Sequence, residues 1–215
     1  MAFSFPRVYP ILDSSVIPQT GRAEFLRSLG LSLSNAGVIL LEYRNKTGTD
    51  AELASDAAIL RHAMPATKLI LDDRADLVIQ ISFDGVHVDA GDVSVSRARR
   101  TLGPDRIIGT FAGPDSDSRS LLPGILAEPA DYFAIGPVFT TTTKQTDKPP
   151  IGLQGVRKLR EEVGSEVVLS AAAGITLETA PLVIEAGASM VAVAAAIFRT
   201  PDPAAEFSHW RKILA

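Results

Sequence analysis

Arg44 and Lys46 stand two residues apart, with Glu42 two residues before them. Alternate residues of a strand point to one side, so the three form a set able to line one mouth. Two cations there suit a diphosphate, the guanidinium as a planar fork and the ammonium as a point charge. The same stretch also reads as a solvated loop, since Asn45, Thr47 and Gly48 are loop-like.

Asp72, Asp73 and Asp92 are the acidic counterpart. Magnesium takes hard oxygen ligands, often one or two carboxylates completed by substrate phosphates and water. Asp73 and Asp92 end neighbouring apolar runs and can reach one ion. The competing reading makes Asp72 or Asp73 the N-cap of a helix over 74–82. His87, a lone histidine before Val88, reads as an orienting or packed residue rather than a base. Farther on, Thr140, Thr141, Thr142 and Thr143 run into Lys144. Hydroxyls and loop amides suit phosphate oxygens, and Lys144 brings charge where leaving-group charge develops; a polar loop is the alternative. Gly174 can bring a backbone N–H close to phosphate, ahead of a helix expected near Thr176. It reads equally as a tight-turn glycine.

The elements that position these groups are legible as a pattern. Apolar, β-branched runs at 7–12, 37–43, 68–71, 85–88, 106–109, 132–135, 167–171 and 190–194 predict strands. Between them, 21–35, 50–63, 74–82, 95–102, 115–127, 153–163, 177–186 and 203–214 read as helices, with Asp50 and Ser94 as start signals. Eight strand–helix alternations without a break in composition predict one α/β domain over 1–215, a (β/α)8 TIM barrel. A doubly wound open sheet is the alternative. In such a barrel the strands' C-terminal ends face the site. Those ends carry Glu42, Arg44 and Lys46, then Asp72 and Asp73, then His87, Asp89 and Asp92, with the threonine loop after strand six. Gly174 follows strand seven, and Ala194 and Ala195 close strand eight.

Composition narrows the classes of function. The 215 residues are 46% hydrophobic and 21% charged, which argues against disorder. A net charge of -4 with no basic run gives no footprint for nucleic acid. The absence of cysteine excludes a disulfide scaffold, a thiolate nucleophile and a thiolate zinc site. Neither a signal-peptide pattern nor a run of membrane-spanning length appears. The expectation is a cytoplasmic protein acting on small molecules, without nucleic-acid or membrane partners; a homo-oligomer stays open.

Taken together these segments resemble the thiamine-phosphate synthase family, within the synthase and thiazole tautomerase superfamily, over nearly the whole chain. Glu42-Tyr43-Arg44-Asn45-Lys46 resembles the family's Gln-x-Arg-x-Lys segment, and Asp72-Asp73 its Asn-Asp pair. Asp84-Gly85-Val86-His87 with Asp92 is similar to the Asp-Gly-Val-His strand and its downstream aspartate. The most specific match is the stretch from Asp131-Tyr132 through Gly136-Pro137 to Thr141-Thr142-Thr143-Lys144; Ala173-Gly174-Ile175 and Glu185-Ala186-Gly187-Ala188 complete the order. The resemblance implies a transferase of thiamine biosynthesis that joins hydroxymethylpyrimidine diphosphate to hydroxyethylthiazole phosphate by a dissociative route. It implies that Arg44, Lys46 and Lys144 hold the diphosphate and that magnesium sits on Asp73 and Asp92. Glu42 and Asp72 occupy substrate-binding slots, while Thr141, Thr143, Gly174, Ala194 and Ala195 would hold the thiazole phosphate.

The chain departs from the family pattern at several of these positions. Glu42 stands for Gln, Asp72 for Asn, Asp89-Ala90 for Gly-Gln, Phe111 for a serine, Ala173 for the first turn glycine, and Ala195 for a phosphate-binding serine. An ionised Glu42 only accepts hydrogen bonds; it would accept from the pyrimidine's amino group and sit near the forming cation. Otherwise it pairs with Arg44 or Lys46. Other readings are a thiazole tautomerase-like enzyme, whose site histidine falls here at Gly113, a non-catalytic phosphate-ligand-binding paralogue, and another sugar-phosphate barrel enzyme.

Overall fold

Strands β1 (Val8–Asp13), β2 (Leu40–Arg44), β3 (Lys68–Asp72), β4 (Gly85–Val88), β5 (Ile107–Phe111), β6 (Tyr132–Ile135), β7 (Leu169–Ala172) and β8 (Met190–Val193) follow one another in parallel. β8 pairs back onto β1 through Val8 beside Val191, which closes the barrel and rules out the open sheet. This computed structural model describes residues 3–89, 92–111, 129–141 and 149–215. The helix expected over 115–127 therefore lies outside the described residues, as do Gly113, Thr143 and Lys144.

Around the barrel lie α1 (Arg22–Asn35), α2 (Asp50–Ala63), α3 (Val95–Leu102), α4 (Gly152–Val163), α5 (Ala180–Glu185), α6 (Ala195–Phe198) and α7 (Pro203–Ile213). Thr49, not Asp50, caps α2, its hydroxyl accepting from the Glu52 N–H; Asp50 is the first helical residue. Ser94 caps α3 in the same way through the Arg97 N–H.

The helix expected over 74–82 is a series of turns. Asp73 enters with a left-handed φ of 69°, and Arg74 and Ala75 donate to carbonyls only two residues back. The Arg74 guanidinium is tied to both Asp50 and Asp76. The chain turns too tightly at its start for a regular first helical turn. α5 likewise begins at Ala180, later than the start near Thr176, because Thr176 and Thr179 bond to each other across a turn that precedes it.

Strand alternation sorts the residues. In β2, Leu41 and Tyr43 face the helices, while Leu40, Glu42 and Arg44 step up the barrel interior from floor to mouth. β3 does the same with Ile70 and Asp72, and β6 with Tyr132 and Ala134. The interior floor is made of Tyr9, Leu40, Ile70, Ile107, Tyr132 and Met190, and the polar residues sit above it. Gly109 on β5 is what admits the Tyr132 ring, since a Cβ there would collide with the phenol.

The opposite end of the barrel is tied by one device used three times. Arg61 of α2, Arg99 of α3 and Arg160 of α4 each donate to carbonyls of the loop that follows. Each also reaches Asp84, Asp131 or Ser189, which accepts an N–H at the start of the neighbouring strand, from Leu69, Ile108 or Leu169. These contacts satisfy backbone groups far from the polar mouth, as expected where a barrel's stability and chemistry occupy opposite ends. Arg99→Ala should lower the unfolding free energy by about 2 kcal/mol, the scale of a hydrogen bond to a charged group. Urea denaturation measures it; a loss under about 0.5 kcal/mol, the range of ordinary surface changes, would contradict this role for the arginines.

Candidate active site

At the C-terminal ends of the strands lies a cavity of about 330 Å³, lined by Glu42, Arg44, Asp72, His87, Phe111 and Thr141 among others. Register explains the grouping. Asp13 pairs with Arg44 across β1 and β2, and Asp72 with His87 across β3 and β4.

The two cations are balanced from β3. Lys46, just past the end of β2, contacts Asp72 at 2.8 Å and is hydrogen-bonded to Asp73. The Arg44 Nε lies 3.6 Å from Asp72 and 3.5 Å from Asp13. Desolvation pushes the Asp72 carboxyl above its ordinary range, against the opposing pull of Lys46. For Lys46, burial works against the charge, yet Asp72 and Asp73 outweigh it and hold the ammonium above its usual value. Neither carboxylate caps a helix. Glu42 pairs with neither cation; its Oε2 accepts from the Tyr9 hydroxyl at 2.8 Å.

Asp92 lies beside Asp73. Partial desolvation raises its pKa against the Asp89 N–H, which donates to its Oδ2, and the neighbouring Asp73 carboxyl raises it further. The Asp73 Oδ1 atom is buried and has no hydrogen-bond partner. Among the described residues no group of three or more protein ligands could enclose a metal ion. A pair of facing carboxylates with one orphaned oxygen fits magnesium, which retains waters and substrate oxygens rather than requiring a protein cage.

Two residues of the site had no role assigned from the sequence: Tyr9 had no signal beyond strand membership, and Tyr132 only its place in the Asp131-Tyr132 motif. Tyr9 and Tyr132 are fully buried, their hydroxyls 2.9 Å apart, and Tyr132 lies 3.1 Å from His87 Nδ1. The His87 ring stacks on Tyr132 with an interplanar angle of 19°. His87 is thus packed and oriented, as its sequence context suggested. Burial disfavours its charged form, but Asp89, Glu42 and Asp72 reverse the balance and raise its pKa.

On the other side of the mouth, Gly174 has φ 69°, and a Cβ there would lie 2.6 Å from the Thr140 carbonyl oxygen. The glycine is therefore required for close approach to the loop after β6. Ala194 leads into α6, whose first residue is Ala195; the first amides of a helix have no partner within it.

The thiamine monophosphate synthase family model matches residues 8–197. A thiamine-phosphate synthase of Koribacter versatilis is 37% identical over 212 residues, covering 97% of this chain and 96% of that protein. One of Agrobacterium fabrum is 36% identical over 194 residues, with 88% and 86% covered. The solved thiamine phosphate pyrophosphorylase of Pyrococcus furiosus superposes with a TM-score of 0.78 at 26% identity, covering 97% and 95% of the two chains.

Ala173 carries the clearest local strain. Its φ of 72° is left-handed, a conformation that costs an L-residue roughly 1–2 kcal/mol. Ala173→Gly should remove that cost, partly offset by the added freedom of the unfolded chain. A net gain of about 0.5–1 kcal/mol is expected from the difference. Chemical denaturation checks this, and a destabilised variant would contradict it.

Proposed function

This chain belongs to the thiamine monophosphate synthase family, and we propose that its barrel mouth couples hydroxymethylpyrimidine diphosphate to hydroxyethylthiazole phosphate, giving thiamine phosphate and diphosphate. The observation that carries this reading is the meeting of two cations and the Asp73–Asp92 carboxyl pair above a buried polar floor. The thiazole tautomerase-like, non-catalytic and sugar-phosphate alternatives gain nothing from the curated relatives above, which bear the synthase name.

In the first step the bond between the pyrimidine's methylene carbon and the bridging oxygen breaks. Its electron pair leaves with diphosphate, and positive charge remains on the methylene, delocalised into the aminopyrimidine. In the second step the lone pair of the thiazole nitrogen forms the new C–N bond. Neither step needs a protein nucleophile, so the protein's work is positioning and charge stabilisation.

Arg44 and Lys46 exchange their carboxylate partners for diphosphate oxygens, Arg44 as a fork and Lys46 as a point charge. Lys144 is assigned to the same diphosphate on its place in the sequence motif. Magnesium, held between Asp73 and Asp92, would supply the remaining positive charge for the leaving group. Asp72 acts through Lys46, keeping the ammonium at the mouth. Thr141, Thr143, Gly174, Ala194 and Ala195 take the thiazole phosphate through hydroxyls and backbone N–H groups. Ala195 retains the amide but has no hydroxyl, a loss of about 1 kcal/mol of net hydrogen bonding relative to serine.

Purified protein given both substrates and magnesium should form thiamine phosphate. Asp73→Ala and Asp92→Ala should each lower turnover by about a hundredfold or more, the scale of one lost charge-stabilising group, with little change in melting temperature. Full activity in chelator, or normal turnover in both variants, would remove the metal assignment.

Lys144→Ala should slow the single-turnover rate by about a hundred- to a thousandfold while leaving thiazole-phosphate affinity near that of the wild type. Normal chemistry with weakened thiazole-phosphate binding would reassign Lys144 to the other substrate.

A further inference from the structure

β2 ends at Arg44, so Lys46 stands two residues beyond the hydrogen-bonded ladder. Between the two cations lies Asn45, whose side chain is bonded at both ends. Its Oδ1 accepts from the Gly48 N–H at 2.8 Å, the Thr47 N–H at 3.4 Å and the Ser14 hydroxyl at 3.1 Å. Its Nδ2 donates to the Tyr43 hydroxyl at 3.2 Å and to Glu52 Oε1 at 3.0 Å. The backbone donors settle which way the amide faces, since an NH2 group in the place of Oδ1 would meet N–H groups. Gly48 lets the loop come this close: a Cβ there would lie 2.4 Å from Nδ2 and 2.5 Å from Glu52 Oε1.

The groups that Asn45 grips are themselves fixed. Tyr43 is fully buried and donates to the buried Asp56, which also accepts from the Arg22 guanidinium at 2.6 Å and 3.0 Å. Arg22 reaches Glu52 as well, at 3.2 Å. Ser14 belongs to the turn after β1, where Asp13 accepts from the Ser15 N–H and faces Arg44. The end of β1, β2, α1 and α2 are thus joined around one amide. Lys46 is the opposite case, with its side chain 41% exposed. A lysine on its flexible stem samples many rotamers, and a backbone that also moved would scatter the ammonium further.

We propose that Asn45 is a positioning residue that acts through Lys46: it fixes the backbone from which the ammonium reaches the diphosphate, and touches no substrate itself. The inference rests on the function proposed above. Arg44 is held by its ladder pairing with Asp13 and depends on Asn45 less. When diphosphate draws Lys46 away from Asp72 and Asp73, those carboxylates no longer hold it. The Asn45 bonds run to Ser14, Tyr43, Glu52 and the loop itself, so they persist through the exchange. A side chain whose base is already ordered loses less freedom on binding, and the difference appears as affinity.

The test is calorimetric titration of the intact protein with inorganic diphosphate and magnesium, and separately with hydroxyethylthiazole phosphate. Asn45→Ala should weaken diphosphate binding about tenfold, the scale of one hydrogen bond to a charged group. Thiazole-phosphate affinity should stay within about twofold of the wild type. Because Asn45→Ala will also lower the melting temperature, Arg99→Ala, destabilised at the opposite end of the barrel, is the control and should keep wild-type affinity for both ligands. A double variant reads the dependence on Lys46. With Lys46→Ala already present, Asn45→Ala should change diphosphate affinity by less than about twofold. Losses that multiply in the double variant overturn the inference, as does an Asn45→Ala protein that binds diphosphate like the wild type. Equal weakening of both ligands overturns it too, since Asn45 would then support the mouth in general. In each of these cases the functional reading stands. A wild type that binds neither ligand removes that reading and the inference with it.

Discussion

Charge gathered at the mouth of a closed barrel must be balanced with or without a ligand, and the Asp72–Asp73 pair at the end of β3 supplies that balance. Lys46 is held by both carboxylates, and Arg44 is shared between Asp72 and Asp13. Charges this close to a protein interior interact several times more strongly than in bulk water, so a cation left alone there would be repelled or would swing out. The carboxylates keep both cations aimed inward. On the proposed function, binding would be an exchange of partners rather than the creation of a site: diphosphate oxygens would take the cations, leaving Asp73 and Asp92 as the residues that would hold a metal ion.

That exchange is possible because the barrel separates its tasks along its axis. The barrel interior carries Tyr9, Tyr132, His87 and Glu42, whose polar groups are bonded to one another, and Ser170, whose buried hydroxyl has no partner. The rim carries full charges in partial contact with solvent. At the far end the three arginines secure strand starts and loops. Partner exchange at the mouth therefore leaves the contacts that hold the barrel closed untouched.

Much of this was legible in the sequence, for physical reasons. Gly85–Val88 and Tyr132–Ile135 are short runs of strand formers beside turn residues, and both strands have the expected bounds. The charged residues at strand ends were placed by the barrel rule alone, without any knowledge of their partners. The turns over 74–82 were not legible, because apolar spacing there looks helical while the left-handed Asp73 and the Arg74 ion pairs decide the path. The hydrogen bonds of Tyr9 were not legible either. Tyr9 meets residues 33 and 123 positions away, contacts that exist only once β8 has returned to β1 and β6 stands across the floor. Glu42 was recognised as a departure from the family pattern, but its bond to Tyr9 and its separation from Arg44 and Lys46 needed the closed barrel.

The most direct test of the partner exchange is a crystal structure of the protein with magnesium and hydroxymethylpyrimidine diphosphate. The account predicts the Arg44 and Lys46 nitrogens on diphosphate oxygens, with Asp73 and Asp92 both ligating the metal and the pyrimidine ring against Glu42. Lys46 still paired with Asp73, and the diphosphate bound away from β2 and β3, would contradict it.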